Sequence, residues 1–200
     1  MTRKSGGSSE GEQRLRKAVD LKLKGEHTKA LLILEMLLVE EPENVDFLEE
    51  IADNELSLEQ YPRAEAAAKQ VISLRPDSNR GHYILGFIHS HKEQWDDAAK
   101  HLQEANRLQP NNPEILRCLG WALFHQGLRL QGIVTLERAL NLESDNTFAL
   151  CDLGVAYLEI RNFSKARALF RRVLDLDPAD ERAKECVHTV DRMEKKFQDQ

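Results

Sequence analysis

The chain has 200 residues, with 28 Lys plus Arg against 34 Asp plus Glu and a net charge of −6 at neutral pH. That balance excludes a general electrostatic attraction to nucleic acid. The longest apolar runs, such as residues 30–34 and 36–39, are far too short to span a bilayer.

Residues 1–10 read as a short disordered tail. They carry two basic residues with no apolar run behind them, so no secretory signal is expected. From Gly11 onward the chain repeats. Pro42, Pro76, Pro110 and Pro178 lie at multiples of 34 residues, with Ser144 in the remaining slot. Numbering each unit so that this residue is position 32 places the units at 11–44, 45–78, 79–112, 113–146 and 147–180. Position 8 then holds Ala18, Ala52, Gly86, Gly120 and Gly154, and position 20 holds Ala30, Ala64, Ala98, Gly132 and Ala166. Small residues at these two positions let two helices approach closely.

Within each unit the apolar residues at positions 4, 7 and 11 fall on one helical stripe, as Leu116, Leu119 and Leu123 do in the fourth. Lys17 and Glu55 depart from this pattern where large apolar residues are usual. A turn is expected near position 15, where Gly25 and Gly127 relieve backbone strain. The second helix is expected to start at an N-cap such as Thr28, Asp96 or Ser164. Pro62 and Pro113 sit where a first helical turn tolerates a missing N–H. The closing proline ends each second helix by biasing its predecessor away from helical angles. Beyond the last unit, residues 181–200 form a capping helix and short tail, with Ala183, Val187, Val190 and Phe197 as its apolar stripe.

The period, the small residues at positions 8 and 20 and the proline at position 32 resemble the tetratricopeptide repeat family over Gly11 to roughly Asp180. The fold class implied is all-α, an α-solenoid of stacked helix-turn-helix repeats forming a right-handed superhelix of eleven helices. One hairpin cannot bury its own stripe, so stacked hairpins share a core and stability sums over units and neighbouring interfaces.

The resemblance also implies that positions 2, 5, 9, 12 and 13 of the first helices face a concave groove. The candidate partner-binding residues are Arg80, Tyr83, Phe87 and His91 in the third unit, Arg117, Trp121, Phe124 and His125 in the fourth, and Phe148, Val155 and Leu158 in the fifth. Exposed apolar patches and aromatic–Arg clusters mark binding surfaces, so an apolar or amphipathic peptide segment is the expected occupant. The alternative is that some of these rings pack between adjacent first helices. The stretch from Ala30 to Pro62 holds ten acids and no Lys or Arg. It reads either as a dock for a basic segment or as a solvated acidic face. The Lys/Asn/Arg clamp with which some family members hold a chaperone's C-terminal carboxylate is not matched across units one to three or units two to four, so no such binding is expected.

Other chemistry is sparse. His82, His89 and His91 do not converge as metal ligands. Cys118, Cys151 and Cys186 have no paired spacing, which points to free thiols in a reducing compartment, the cytoplasm. No cofactor loop or catalytic motif is present, and an enzyme is not expected. The expected function is a scaffold or adaptor that binds another protein. The alternatives are a secretion-type chaperone shielding a client segment and a self-assembling homo-oligomer.

Overall fold

The computed structural model describes residues 9–199. Among them are eleven α-helices and no strands: α1 (Ser9–Leu23), α2 (His27–Glu40), α3 (Val45–Ser57), α4 (Tyr61–Leu74), α5 (Asn79–His91), α6 (Trp95–Leu108), α7 (Pro113–His125), α8 (Arg129–Leu142), α9 (Thr147–Glu159), α10 (Phe163–Leu176) and α11 (Glu181–Gln198). Most of the expected N-terminal tail lies outside the described residues. Ser9 and Glu10, counted in that tail, instead open α1.

Two compact units divide the chain, one running to Ile88 and the other from His89. The first contains a core of Ala18, Ala30, Leu34, Ala52, Ala64, Ala68, Ile84, Leu85 and Ile88. The second is centred on Phe124, Leu136, Leu153, Ala156, Tyr157, Ala166, Phe170 and Val190, with α11 contributing the last of these. A smaller cluster of Leu150, Val173 and Ala183 also belongs to the second unit.

The hairpin turns share one backbone solution. Gly25 (φ 75°), Glu59 (57°), Glu93 (57°), Gly127 (100°) and Arg161 (61°) are all left-handed, each at position 15. The residue after each one closes the first helix with an N–H bond to the carbonyl five residues back, as from Glu26 to Leu21 and from Leu128 to Leu123, both 2.9 Å. Glycine takes this conformation at no steric cost, whereas the other three residues accept some strain.

This tight exit moves the second-helix starts forward of the expected caps. Glu26 and Gln94 hold the cap positions and make no side-chain cap bond, while Asn162 accepts from Lys165 N. Thr28, Asp96 and Ser164 therefore lie inside the first turn. Apart from Asn162, the side-chain caps sit instead at position 34, ahead of the first helices α3, α5, α7 and α9 and of α11. Asn44, Asn112, Asn146 and Asp180 each accept from backbone N–H groups of the following turn, and Ser78 Oγ accepts from Gly81 N at 2.9 Å. Each such cap contributes about 1 kcal/mol. α8 ends at Leu142 although Ser144 replaces the proline, with the Glu143 N–H bonded back to Ala139 O.

An especially close helix approach joins α7 and α8. A Cβ on Gly132 would lie 2.6 Å from Phe124 N and 2.7 Å from Gly120 O. These are backbone atoms, so no side-chain rotation relieves the overlap. Gly132→Ala is expected to lower stability by about 1–3 kcal/mol through overpacking, although Ala otherwise exceeds Gly in a helix by ~1 kcal/mol. Urea denaturation measures it, and an unchanged or raised midpoint would refute the close approach.

Candidate functional site

In the first unit the acidic stretch is largely neutralised. Glu35 pairs with Arg63, Glu40 with Arg14, Asp46 and Glu49 with Arg75, and Glu50 and Asp53 with both Lys22 and Arg80. Apart from Arg63, just past its end, these cations come from more distant segments, Arg14 and Lys22 on α1, Arg75 just after α4 and Arg80 on α5. The tightest part joins Lys22 Nζ to Glu50 Oε2 at 2.6 Å and Asp53 Oδ2 at 2.9 Å. From the other side, Arg80 reaches Glu50 Oε1 at 2.7 Å and Asp53 Oδ2 at 3.0 Å. Burial opposes the charge on Lys22 and on Arg80, but the hydrogen bonds to these carboxylates outweigh it and raise both pKa values. Arg80 is thus engaged within the chain. Ser78 Oγ donates to Glu49 Oε1 at 2.6 Å, which ties the α5 cap into the same network. Tyr83 and Phe87 follow on α5, half-buried, with ring centroids 6.3 Å apart; Tyr83 packs against the first core.

In the second unit the predicted residues separate into three groups. Arg117 on α7 forms a fork with Glu114, at 2.9 and 2.6 Å, and reaches Asp152 on α9 at 2.8 Å. Its guanidinium carbon lies 5.8 Å from the centroid of Phe148. Burial works against the Arg117 charge, but the hydrogen bond to Glu114 and the nearby carboxylates raise its pKa above the ordinary arginine value. Phe148 remains 71% exposed on this charged base. Val155 and Leu158 continue along α9, partly buried against the second core.

The second group surrounds His125, whose ring lies 4.7 Å from Trp95 and 4.2 Å from Trp121. Trp121 is half-buried and His91 exposed. Trp95 lies outside the groove positions expected from the sequence, because position 17 is where a second helix begins. A hollow beside it is lined by Glu93, Gln94, Asp96, Asp97 and Gln126 as well as Trp95 and His125.

Phe124 makes up the third group and corrects the sequence reading. It is 2% exposed and belongs to the buried cluster with Ile133, Leu136 and Tyr157. The glycine-lined approach of α8 to α7 draws position 12 of this repeat into the core. Packing between helices therefore accounts for Phe124, while Phe148 stays exposed.

The remaining reactive groups are occupied or inert. His82 Nε2 lies 3.1 Å from Pro76 O, and His89 stacks on His101 at 5.5 Å. All three cysteines are free thiols. Burial pushes the Cys118 thiol far above its ordinary range and that of Cys151 up to about 11, so neither is a ready nucleophile. Among the described residues no group of three or more His, Cys, Asp or Glu is arranged to hold a metal ion, and no helix is long and apolar enough to cross a membrane.

Residues 49–113, 91–129 and 147–180 match tetratricopeptide repeat models, together more than half of the chain. Mouse protein O-mannosyl-transferase TMTC1 is 27% identical over 144 residues, covering 70% of this chain and 15% of the mouse protein. The chain thus spans less than a fifth of that relative's length. The tetratricopeptide protein TTC0263 of Thermus thermophilus superposes with a TM-score of 0.70 at 22% identity, covering 90% of this chain and 98% of that one. YrrB, described as a tetratricopeptide protein with an unusual peptide-binding site, gives 0.67 at 20% identity over 86% of this chain and 89% of its own. At these identities the two structures speak to the fold alone.

Proposed function

The chain belongs to the tetratricopeptide repeat family, whose fold is in general a scaffold for protein interaction, and on that premise we propose that it is an adaptor. Its second unit takes a peptide segment of another protein along α7 and α9. The observation that carries this reading is Phe148. A phenyl ring left 71% exposed on an arginine that two carboxylates hold in place is an ordered apolar anchor, and pre-ordering lowers the entropy cost of binding. Val155, Leu158 and Trp121 extend the apolar surface on the same two helices. Arg117 serves as a support for the ring rather than as a free cation, because Glu114 and Asp152 neutralise it.

The peptide is accordingly apolar or amphipathic, with no acidic residue required opposite Arg117. The peptide-binding description of YrrB is consistent with this use of the fold. A repeat fold of this kind is typically non-catalytic, and no catalytic role is assigned. The free cysteines support a reducing compartment such as the cytoplasm.

The test is selection of peptides from a displayed random library against the full chain, followed by titration of the selected peptides. Phe148→Ala is expected to weaken them by about 30-fold or more, the size of an interface hot spot, and Trp121→Ala by a smaller factor. Helicity in the Phe148 variant should match wild type, since that ring is outside the core. Selected peptides that bind both variants as tightly as wild type would refute the proposal.

A further inference from the structure

The repeats provide an internal standard for the outer face of each second helix. Positions 22, 26 and 29 lie within one narrow stripe of that face. They read Ala66, Gln70 and Ser73 in α4, Lys100, Glu104 and Arg107 in α6, Val134, Arg138 and Asn141 in α8, and Ala168, Arg172 and Asp175 in α10. In α2 the same three positions are Leu32, Met36 and Val39, exposed to 60%, 62% and 81%. The inner face of α2 is already committed to the core through Ala30, Leu31, Leu34 and Leu37. A helix apolar on both faces is ordinarily buried on both, yet among the described residues only one face of α2 is covered.

The charges around this stripe indicate what covers the other. Lys24 and Lys29 are exposed at its N-terminal end, while Glu40, Glu41 and Glu43 are exposed at its C-terminal end. Lys29 pairs locally with Glu26 and Glu40 with Arg14. Both are surface contacts of the kind that contribute little and exchange readily. An open hollow lined by Glu41, Pro42, Glu43 and Asn44 adjoins the acidic end. A partner with one sign of charge would satisfy one end and repel the other. A second copy of the same helix, turned antiparallel about a two-fold axis, satisfies both.

We propose that α2 is the contact of a two-fold symmetric dimer of this chain. The helices run antiparallel with the axis near Met36. Leu32 of one copy meets Val39 of the other, and Lys24 and Lys29 of each face the Glu41–Glu43 end of its mate. The contact is isologous, so it closes at two copies. Antiparallel helix dipoles add to the attraction. The apolar stripe is small beside the ~800 Å² per partner of a standard interface. The dimer is therefore weak and reversible, with half-association on the order of tens of micromolar.

Sedimentation equilibrium of the full chain across roughly 1 to 300 micromolar, a range set by that affinity, tests the proposal. Wild type passes from one chain to two with rising concentration. Met36→Glu stays at one chain throughout with unchanged helicity, since the substituted side chain is exposed. A charge exchange probes the orientation. Lys24→Glu/Lys29→Glu and Glu41→Lys/Glu43→Lys each set like charges against like in a self-pair and remain single chains. Mixed together they present unlike ends to each other and form a heterodimer. A wild type that stays at one chain overturns the proposal, as does one that passes beyond two. A Met36→Glu variant that pairs like wild type, or a mixture no heavier than its components, overturns it equally.

Discussion

Phe170→Ala is expected to lower the stability of the second unit by about 3–5 kcal/mol, the range for truncating a buried phenyl ring. Phe170 has no exposed surface and shares its cluster with Leu153, Ala166 and Val190, side chains from α9, α10 and α11. Its ring also occupies the space that the absence of a side chain leaves at Gly154. A Cβ there would lie 2.7 Å from Phe170 Cε1. Removing the ring opens a cavity bounded by three helices, and in a stacked repeat each helix is held chiefly by its neighbours. α11 is then expected to loosen first. The pairing with Gly154 adds a sharper expectation. Gly154→Ala alone destabilises, whereas in the Phe170→Ala background it is neutral or stabilising, because the added methyl enters the vacated space. A double-mutant cycle by urea denaturation reads both effects. A loss below about 1 kcal/mol for Phe170→Ala, well under the cited range, would show that the ring is not the organising contact.

Glu55→Leu is expected to act in the opposite direction and raise stability at neutral pH by about 1–3 kcal/mol. The Glu55 side chain is 1% exposed, and its charged neighbour is Arg63, 2.9 Å from Oε1. That approach lacks hydrogen-bond alignment, and neither carboxylate oxygen has a hydrogen-bond partner. Arg63 is itself mostly exposed and shared with Glu35, so its charge is screened by solvent. Leu21 and Leu123 occupy the same repeat position as Glu55, which indicates that leucine suits the site.

The pH dependence has a definite sign. Burial raises the Glu55 pKa, with Arg63 opposing in part, so the folded state binds this proton more tightly than the unfolded state. Ionisation then costs stability as pH rises from the ordinary carboxylate value through the raised one. The advantage of Glu55→Leu should be largest above that window and shrink as pH falls through it. Denaturation midpoints of the two proteins at pH 7 and pH 5 measure this. A variant less stable than wild type at pH 7 would mean that the Arg63 contact outweighs the desolvation of the carboxylate.

The first helices and second helices were legible because their determinants are local. A 34-residue recurrence of small residues, apolar stripes and stop signals identifies helical hairpins before any contact is known. Gly25 and Gly127 mark the left-handed turn directly. The same turn at Glu59, Glu93 and Arg161 was legible only through the period, since those residues do not advertise the conformation. The caps Asn44, Ser78, Asn112, Asn146 and Asp180 carried a signal that was available, an Asx or Ser recurring every 34 residues.

Charge partnership was far less legible. Counting along the chain made residues 30–62 an unrelieved acidic block. Several of their cations lie 26 to 31 residues away, as with Arg14–Glu40, Lys22–Asp53 and Arg80–Asp53, a little under one repeat, where a neighbouring helix returns alongside. Such pairing follows from how helices stack, so a linear tally cannot detect it. The aromatic row was divided for a similar reason. Phe124 and Phe148 both occupy groove-type positions of the repeat. One ring enters the core where Gly120 and Gly132 bring two backbones together, and the other rests outside on Arg117.

By itself, then, the sequence determined the helical hairpins, their period and the identity of the small residues at which helices meet, because these depend on spacing of three to four residues and on backbone freedom at single positions. The tertiary structure decided which rings stay exposed, which charges are already paired and which helix face is left uncovered. Those outcomes depend on the distance between helices, and that distance is set jointly by side chains about a repeat apart in the chain.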